Sequence, residues 1–305
     1  MGVGSIVFSG GEPLTWPWLY DAVSACATHD LHCSIYSSGI NPGGDGAKDL
    51  LTLAKHGLHK VVFSLYSSRK EFHEQITTQA GSFQDTVSAI SATKDSGLER
   101  GMHFVPIKRN YSHLDELVKL AEDNRVPRVS ILRFVPQGRG VLLKGSQEML
   151  FERETVELRK LIMKCRQSYD VTIRVGSPYN ILLLDKDVEC NAARRTLIIG
   201  PNGNIYPCDA FKNIEPRDIG VEDSFNNILS HSLEECWQQS TYLNTIRDYL
   251  SKPLKEPCLG CVKLEWCKSG CLAQKLIDHG STLNGDIAGT PDPLCLRRGI
   301  GGSNA

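Results

Sequence analysis

No apolar run in this 305-residue chain approaches the roughly 20 residues that a membrane-spanning helix needs. There is no Lys/Arg run and no basic stretch interleaved with aromatics, and the formal net charge is only −1. No global field therefore recruits nucleic acid or an anionic membrane, and neither partner is expected. Met1 to Ser9 carries no basic leader and no cleavage site. That reading expects no export signal and a reducing cytoplasm, where disulfides rarely persist. Internal repeats and long low-complexity segments are absent, and only the tail, 300–305, has the Gly/Ser composition of a disordered end.

What the chain does have is cysteine, eleven in all. An odd count in a reducing compartment argues against a paired disulfide framework and asks for a metal explanation of those that cluster. The balance of 41% hydrophobic and 23% charged residues is that of a water-soluble globular protein. The length suits one large or two ordinary domains.

The first half alternates β-branched runs with helical patterns. Strands are expected at 5–9, 33–38, 60–66, 101–106 and 129–135. Phe83, Val87 and Ile90 share one helical face; Leu114, Leu117, Val118 and Ala121 share another; Leu158, Leu161, Ile162 and Cys165 a third. Such alternation implies an α/β fold with parallel pairing, here five βα repeats forming a barrel, complete or partial, or an open sheet. The pattern changes near Ser177. Asn202-Gly203, between Leu197-Ile198-Ile199 and Ile205-Tyr206, signals a β-hairpin. The segment 233–250 reads as one helix.

Seven cysteines fall into a pattern. Cys190 is followed after twelve residues by Gly203, and after four more by Cys208. Cys258, Cys261, Cys267 and Cys271 then give C-x2-C-x5-C-x3-C, with Cys295 beyond. Short spacings bring thiolates round a common centre at little loop-closure cost, which suits a soft metal or a cluster. Gly260 and Gly270 sit where the backbone must turn among the sulfurs. A structural zinc knot is the competing reading, although seven thiolates divide poorly into tetrahedral sites of four. Cys26, Cys33, Cys165 and Cys236 stand singly on apolar faces and read as core residues.

This pattern resembles the SPASM domain that follows the barrel of radical SAM enzymes. By that likeness Cys190, Cys208 and Cys271 serve one auxiliary [4Fe-4S] cluster, and Cys258, Cys261, Cys267 and Cys295 a second. Relatives often add an eighth cysteine shortly before the position of Cys190. Here no thiol is available, so either Asp185, Asp187 or Glu189 takes its place or one iron stays open to solvent or substrate.

Upstream, Ser9-Gly10-Gly11-Glu12-Pro13 ends the first expected strand, where it is equally a plain βα turn or a ligand loop. With the cysteines behind it, the stretch resembles the GGEP motif that holds S-adenosylmethionine, so Gly10, Gly11, Glu12 and Pro13 become expected cofactor residues. Ser38, Ser64, Val135 and Pro136 fall at later strand ends that the family uses for the same cofactor. Asp209, directly after Cys208, matches a carboxylate proposed as proton acceptor in sulfatase-maturating relatives, or is a plain turn residue. His73 and His103 read as hydrogen-bonded scaffold.

The resemblance implies a partial barrel of radical SAM type over 1–176 and a SPASM domain over 177–299. It implies a maturase of peptides or proteins, using the 5′-deoxyadenosyl radical and a reducing partner such as flavodoxin or ferredoxin. The family's C-x3-C-x2-C loop should precede GGEP, yet no such triplet occurs in these residues. The expectation is an N-terminally truncated chain that is inactive as written. Two other readings stay open: a non-catalytic iron–sulfur protein for electron transfer or peptide binding, and a zinc-stabilised binding module.

Overall fold

A computed structural model describes residues 2–136, 140–141, 148–176, 189–280, 287 and 290–295. The chain divides into two compact units, one of 1–134 with 143–176 and one of 135–142 with 177–305.

The first unit is built on six parallel strands in sequential order: β1 (Ser5–Phe8), β2 (His32–Ser37), β3 (Lys60–Ser64), β4 (Glu99–Phe104), β5 (Arg128–Ile131) and β6 (Thr172–Val175). Periodicity announces only five of them. The sixth, β6, is four residues long, and Thr172 and Arg174 interrupt its apolar run. It still pairs with β5, Val129 opposite Ile173 and Ile131 opposite Val175. The expected strand 129–135 stops at Ile131.

Helices α1 (Leu19–Thr28), α2 (Gly46–Lys55), α3 (Lys70–Thr77), α4 (Ser82–Ala92), α5 (Leu114–Asp123) and α6 (Glu152–Ser168) fall between the strands. Asp45 caps α2 by accepting from the Lys48 N–H at 3.1 Å, a contact worth about 1 kcal/mol.

The register sorts the strand residues onto two faces with period two. Ile35, Val61, Phe63, Met102, Phe104 and Val129 share one face and are 0% exposed. Tyr36, Val62, Ser64, His103 and Ser130 share the other, with Ser64 opposite His103 and His103 opposite Ser130. One face is a hydrocarbon floor. The other is polar and partly open.

Arg100 is 6% exposed on the apolar face. Its guanidinium donates to the Ile90 carbonyl at 3.2 Å, the Asn124 carbonyl at 3.0 Å and the Arg125 carbonyl at 2.8 Å. One side chain thus ties the last turn of α4, where the Ile90 carbonyl also accepts from the Thr93 hydroxyl at 3.1 Å, to the chain end after α5.

The second unit contains the short antiparallel pair β7 (Ile198–Ile199) and β8 (Ile205–Tyr206). The turn sits one residue earlier than the Asn-Gly signal suggests: the Gly203 N–H donates to the Gly200 carbonyl at 3.0 Å, leaving Pro201 and Asn202 at the corners. Proline's fixed φ favours the first corner and outweighs the dipeptide signal. The expected single helix 233–250 is two, α7 (Leu233–Gln239) and α8 (Thr241–Ser251). Ser240 breaks them. Its hydroxyl accepts from the Leu243 N–H at 3.1 Å and caps α8. Short helices α9 (Leu264–Cys267) and α10 (Leu272–His279) follow. Phe211, Tyr242, Leu243, Ile246 and Leu276 form the unit's core.

Replacing Arg100 with leucine should strip the Asn124 and Arg125 carbonyls of this donor, while the Ile90 carbonyl keeps the Thr93 hydroxyl. We expect a loss of about 3 kcal/mol, since each unpaired buried group costs roughly 1–3 kcal/mol. The midpoint of urea unfolding checks this.

Candidate cofactor and cluster sites

In the first unit the expected cofactor residues gather at the carboxyl ends of β1, β2 and β3. Glu12 organises them. Its Oε1 accepts from the Ser37 hydroxyl at 2.6 Å and the Leu14 N–H at 3.1 Å. Its Oε2 accepts from the Ser38 N–H at 2.7 Å and the Ser38 hydroxyl at 2.5 Å. A carboxylate accepting several short hydrogen bonds is held firmly. Because Glu12 is 26 residues from Ser38, sequence spacing alone does not announce the contact.

Gly39 fixes the β2 loop. Its φ is +76°, and a Cβ there would lie 2.7 Å from the Ala89 Cβ on α4. The Thr86 hydroxyl, also on α4, donates to the Ser38 carbonyl at 2.7 Å. Ser64 lies at the end of β3 on the polar face, level with His103. An open cleft of about 400 Å³, lined by Leu14, Trp16, Tyr20 and Asn41 among others, adjoins these loops.

Val135 and Pro136 belong to the second compact unit, unlike the other expected cofactor residues. The rest of that stretch, 137–139, lies outside the described residues.

The surroundings of His103 suit a scaffold residue. Its ring meets Tyr36 edge-on with centroids 4.6 Å apart. Burial, with Lys60 nearby, lowers its pKa to about 4. His73 is 1% exposed, accepts from the Tyr66 N–H at 3.3 Å, and is likewise lowered by burial to about 4.

In the second unit the thiols sort into two neighbourhoods. Cys208 lies among Cys271 and Cys190, and its thiol is pushed up to about 12, first by burial and then by those neighbours. Cys267 lies among Asp292, Cys295 and Cys258, and is pushed up to about 11, again chiefly by burial. Cys261 follows Cys258 in a tight turn, its N–H donating to the Cys258 carbonyl at 3.0 Å.

Between Cys267 and Cys271 lie three consecutive left-handed residues, Lys268 (φ 51°), Ser269 (φ 66°) and Gly270 (φ 77°). Asp292, 1% exposed, closes the turn by accepting from the Cys271 N–H at 2.9 Å. A Cβ on Gly270 would collide with the Asp292 side chain.

Among the described residues no three His, Cys, Asp or Glu side chains converge tightly enough for a single metal ion. A four-iron cluster asks for something wider, because each thiolate ligates a different iron. Two neighbourhoods rich in thiols, one with Asp292 beside them, fit that donor set. Asp185 and Asp187, two of the candidate eighth ligands, lie outside the described residues; Glu189 is exposed. Asp209 is exposed and begins the one-turn helix after Cys208. The buried thiols Cys26, Cys33, Cys165 and Cys236 belong to the apolar interior.

Comparison with known proteins gives two family matches. The sequence model of the Radical SAM superfamily matches residues 1–121, and that of SPASM, an iron–sulfur cluster-binding domain, matches residues 190–262. Among curated proteins, the PqqA peptide cyclase of Methylocella silvestris is 27% identical over 97% of this chain and 75% of its own length. That of Gluconobacter oxydans is 27% identical over 97% of this chain and 77% of its own length.

Among solved structures, Streptococcus suis SuiB bound to S-adenosylmethionine superposes with a TM-score of 0.72 at 17% identity. The match covers 96% of this chain and 66% of SuiB. Native anSMEcpe with bound AdoMet and Cp18Cys peptide superposes at 0.65 and 17% identity, covering 89% of this chain and 76% of that one. The solved structures share the fold: a parallel partial barrel followed by a cysteine-rich domain.

Keeping His103 neutral has a pH signature. Its folded pKa lies below the unfolded value near 6.5, so the unfolded chain binds the proton more readily. Stability is therefore full above about pH 6.5 and falls as pH drops towards 4. The loss attached to this group is on the order of 3 kcal/mol. His103→Gln should flatten that part of the curve when melting temperature is followed from pH 7 to pH 4.

Proposed function

We propose that this chain, which belongs to the radical SAM proteins and carries a SPASM iron–sulfur domain, is the core of a maturase that modifies a ribosomally made peptide. The observation that carries this reading is the sorting of six SPASM cysteines into two thiol neighbourhoods. The curated relatives, named PqqA peptide cyclases, and the Cp18Cys peptide bound to anSMEcpe support a peptide as substrate. The chain spans about three quarters of the cyclases and 66% of SuiB, so the activity is proposed for the protein as a whole.

When bound, S-adenosylmethionine and a reduced cluster supply the 5′-deoxyadenosyl radical that takes hydrogen from the substrate. The roles of this chain's residues follow from their positions. Gly10, Gly11 and Pro13 hold the loop at the end of β1, and Glu12 presents its carboxylate there. An ammonium group arriving at Glu12 would exchange with the Ser37 and Ser38 hydroxyls, so those serines keep the carboxylate aimed before ligand binds. Ser64 offers a hydroxyl on the polar face, while Val135 and Pro136 would contribute apolar contact.

Cys190, Cys208 and Cys271 would hold one cluster; Cys258, Cys261, Cys267 and Cys295 would hold the other. Exposed Asp209, next to Cys208, is assigned the substrate's released proton, since a base must first be within reach. No helix among the described residues is long and apolar enough to cross a membrane. A cytoplasmic setting with a flavodoxin or ferredoxin as reductant completes the reading.

The iron assay comes first. Anaerobic reconstitution should give a brown protein, with about four irons in each SPASM cluster. Cys208→Ala and Cys267→Ala should each remove roughly half of that auxiliary iron. Zinc in place of iron would return the chain to the binding-module reading. The protein encoded by the complete reading frame should then release 5′-deoxyadenosine and change the mass of a peptide encoded beside its gene. Glu12→Ala should weaken S-adenosylmethionine binding at least tenfold, on the scale of a lost charge-assisted hydrogen bond of about 1.5–3 kcal/mol. Bound iron with neither product would leave an electron-transfer or peptide-binding protein.

A further inference from the structure

Lys275 lies on α10 with 3% of its surface exposed, and lysine is almost never buried so deeply without a partner. Its ammonium donates to the Ser269 hydroxyl. Ser269, 4% exposed, in turn donates to the Cys258 Sγ at 3.2 Å. The ionisable groups facing Lys275 are Cys258, Asp292, Cys267 and Cys271, drawn from both thiol neighbourhoods. Asp292 is already engaged, accepting from the Cys271 N–H at 2.9 Å and the Leu294 N–H at 2.8 Å. A buried ammonium needs anionic charge around it. Asp292 supplies one negative charge there; neutral thiols add none, whereas thiolates bound to iron would add more.

Resting on the reading that these cysteines hold clusters, we propose that Lys275 and Ser269 form a relay to the Cys258 sulfur that raises the reduction potential of the cluster held by Cys258, Cys261, Cys267 and Cys295. The step is a one-electron reduction with no bond made or broken. The incoming electron adds negative charge to the thiolate sulfurs. A hydroxyl pointing at one sulfur, backed by a cation, favours the reduced form more than the oxidised one. Neither residue is a ligand; both act through Cys258.

The test is a dithionite titration of the reconstituted protein, with the reduced clusters followed by electron paramagnetic resonance. Lys275→Met removes the cation. Ser269→Gly removes the hydroxyl at a left-handed residue (φ 66°), a conformation glycine adopts freely, so this variant keeps the fold even where Lys275→Met does not. Each substitution should lower the reduced-to-oxidised ratio at the wild-type midpoint about tenfold, which is about 59 mV for a one-electron couple. Iron content should stay at the wild-type level, and the cluster of Cys190, Cys208 and Cys271 should shift less. Full iron content with unchanged midpoints in Ser269→Gly would overturn the relay and leave the cluster assignment standing. A wild-type protein that takes up no iron would overturn both.

Discussion

The second unit depends on the cost of taking sulfur out of water. Burial raises the Cys208 thiol to about 12 and the Cys267 thiol to about 11, and neighbouring cysteines push the same way. As thiolates these side chains would repel one another in a medium that solvates them poorly. Only a strongly positive partner would make the deprotonated state favourable, so a cluster bound by these thiols would couple its binding to the folding of this unit. Among its described residues a short hairpin pairs two residues with two, and the core gathers round large side chains such as Phe211 and Tyr242. The relay through Lys275 and Ser269 belongs to the same balance, supplying positive charge and a donor where sulfur would be anionic.

The first unit solves the opposite problem. Its strands present hydrocarbon on one face and hydroxyl, phenol and imidazole groups on the other. Parallel pairing gathers the carboxyl ends of β1 to β6 at one edge of the sheet, where a ligand site is usually built. The loops at that edge are held by side chains rather than by strand pairing. Glu12 bonds the β2 loop, and Thr86 of α4 holds the same loop from the other side. A site held by such contacts keeps its geometry before any ligand arrives.

The periodic elements were legible because burial imposes period two or period 3.6 on the sequence. Phe83, Val87 and Ile90 fall on α4, and Leu114, Leu117 and Val118 on α5. The strand β6 and the break at Ser240 were less visible, since a four-residue strand and a single capping serine leave little pattern. The cysteine motif stood out by its spacing, while its grouping came with the family resemblance; in the structure Cys208 lies near Cys190 and Cys271, and Cys267 near Cys258 and Cys295. What could not be read were contacts made by long-range folding. Glu12 with Ser37 and Ser38 is one, and the line from Lys275 through Ser269 to Cys258 is another. A lysine in the pattern Leu272 to His279 looks like an exposed position until the fold buries it.

The segment from Cys267 to Cys271 shows how one short spacing reaches two thiol neighbourhoods. In a continuous helix, residues four apart stack on the same face, and both thiols would enter a single site. Here α9 ends at Cys267 and α10 begins after Cys271, with Lys268, Ser269 and Gly270 all left-handed between them. Two of these are not glycine, and each such residue costs on the order of 1 kcal/mol. Asp292 offsets part of that cost by accepting the Cys271 N–H, and the same turn carries the Ser269 hydroxyl to Cys258. One strained turn therefore separates the two neighbourhoods and aims a hydrogen bond into one of them.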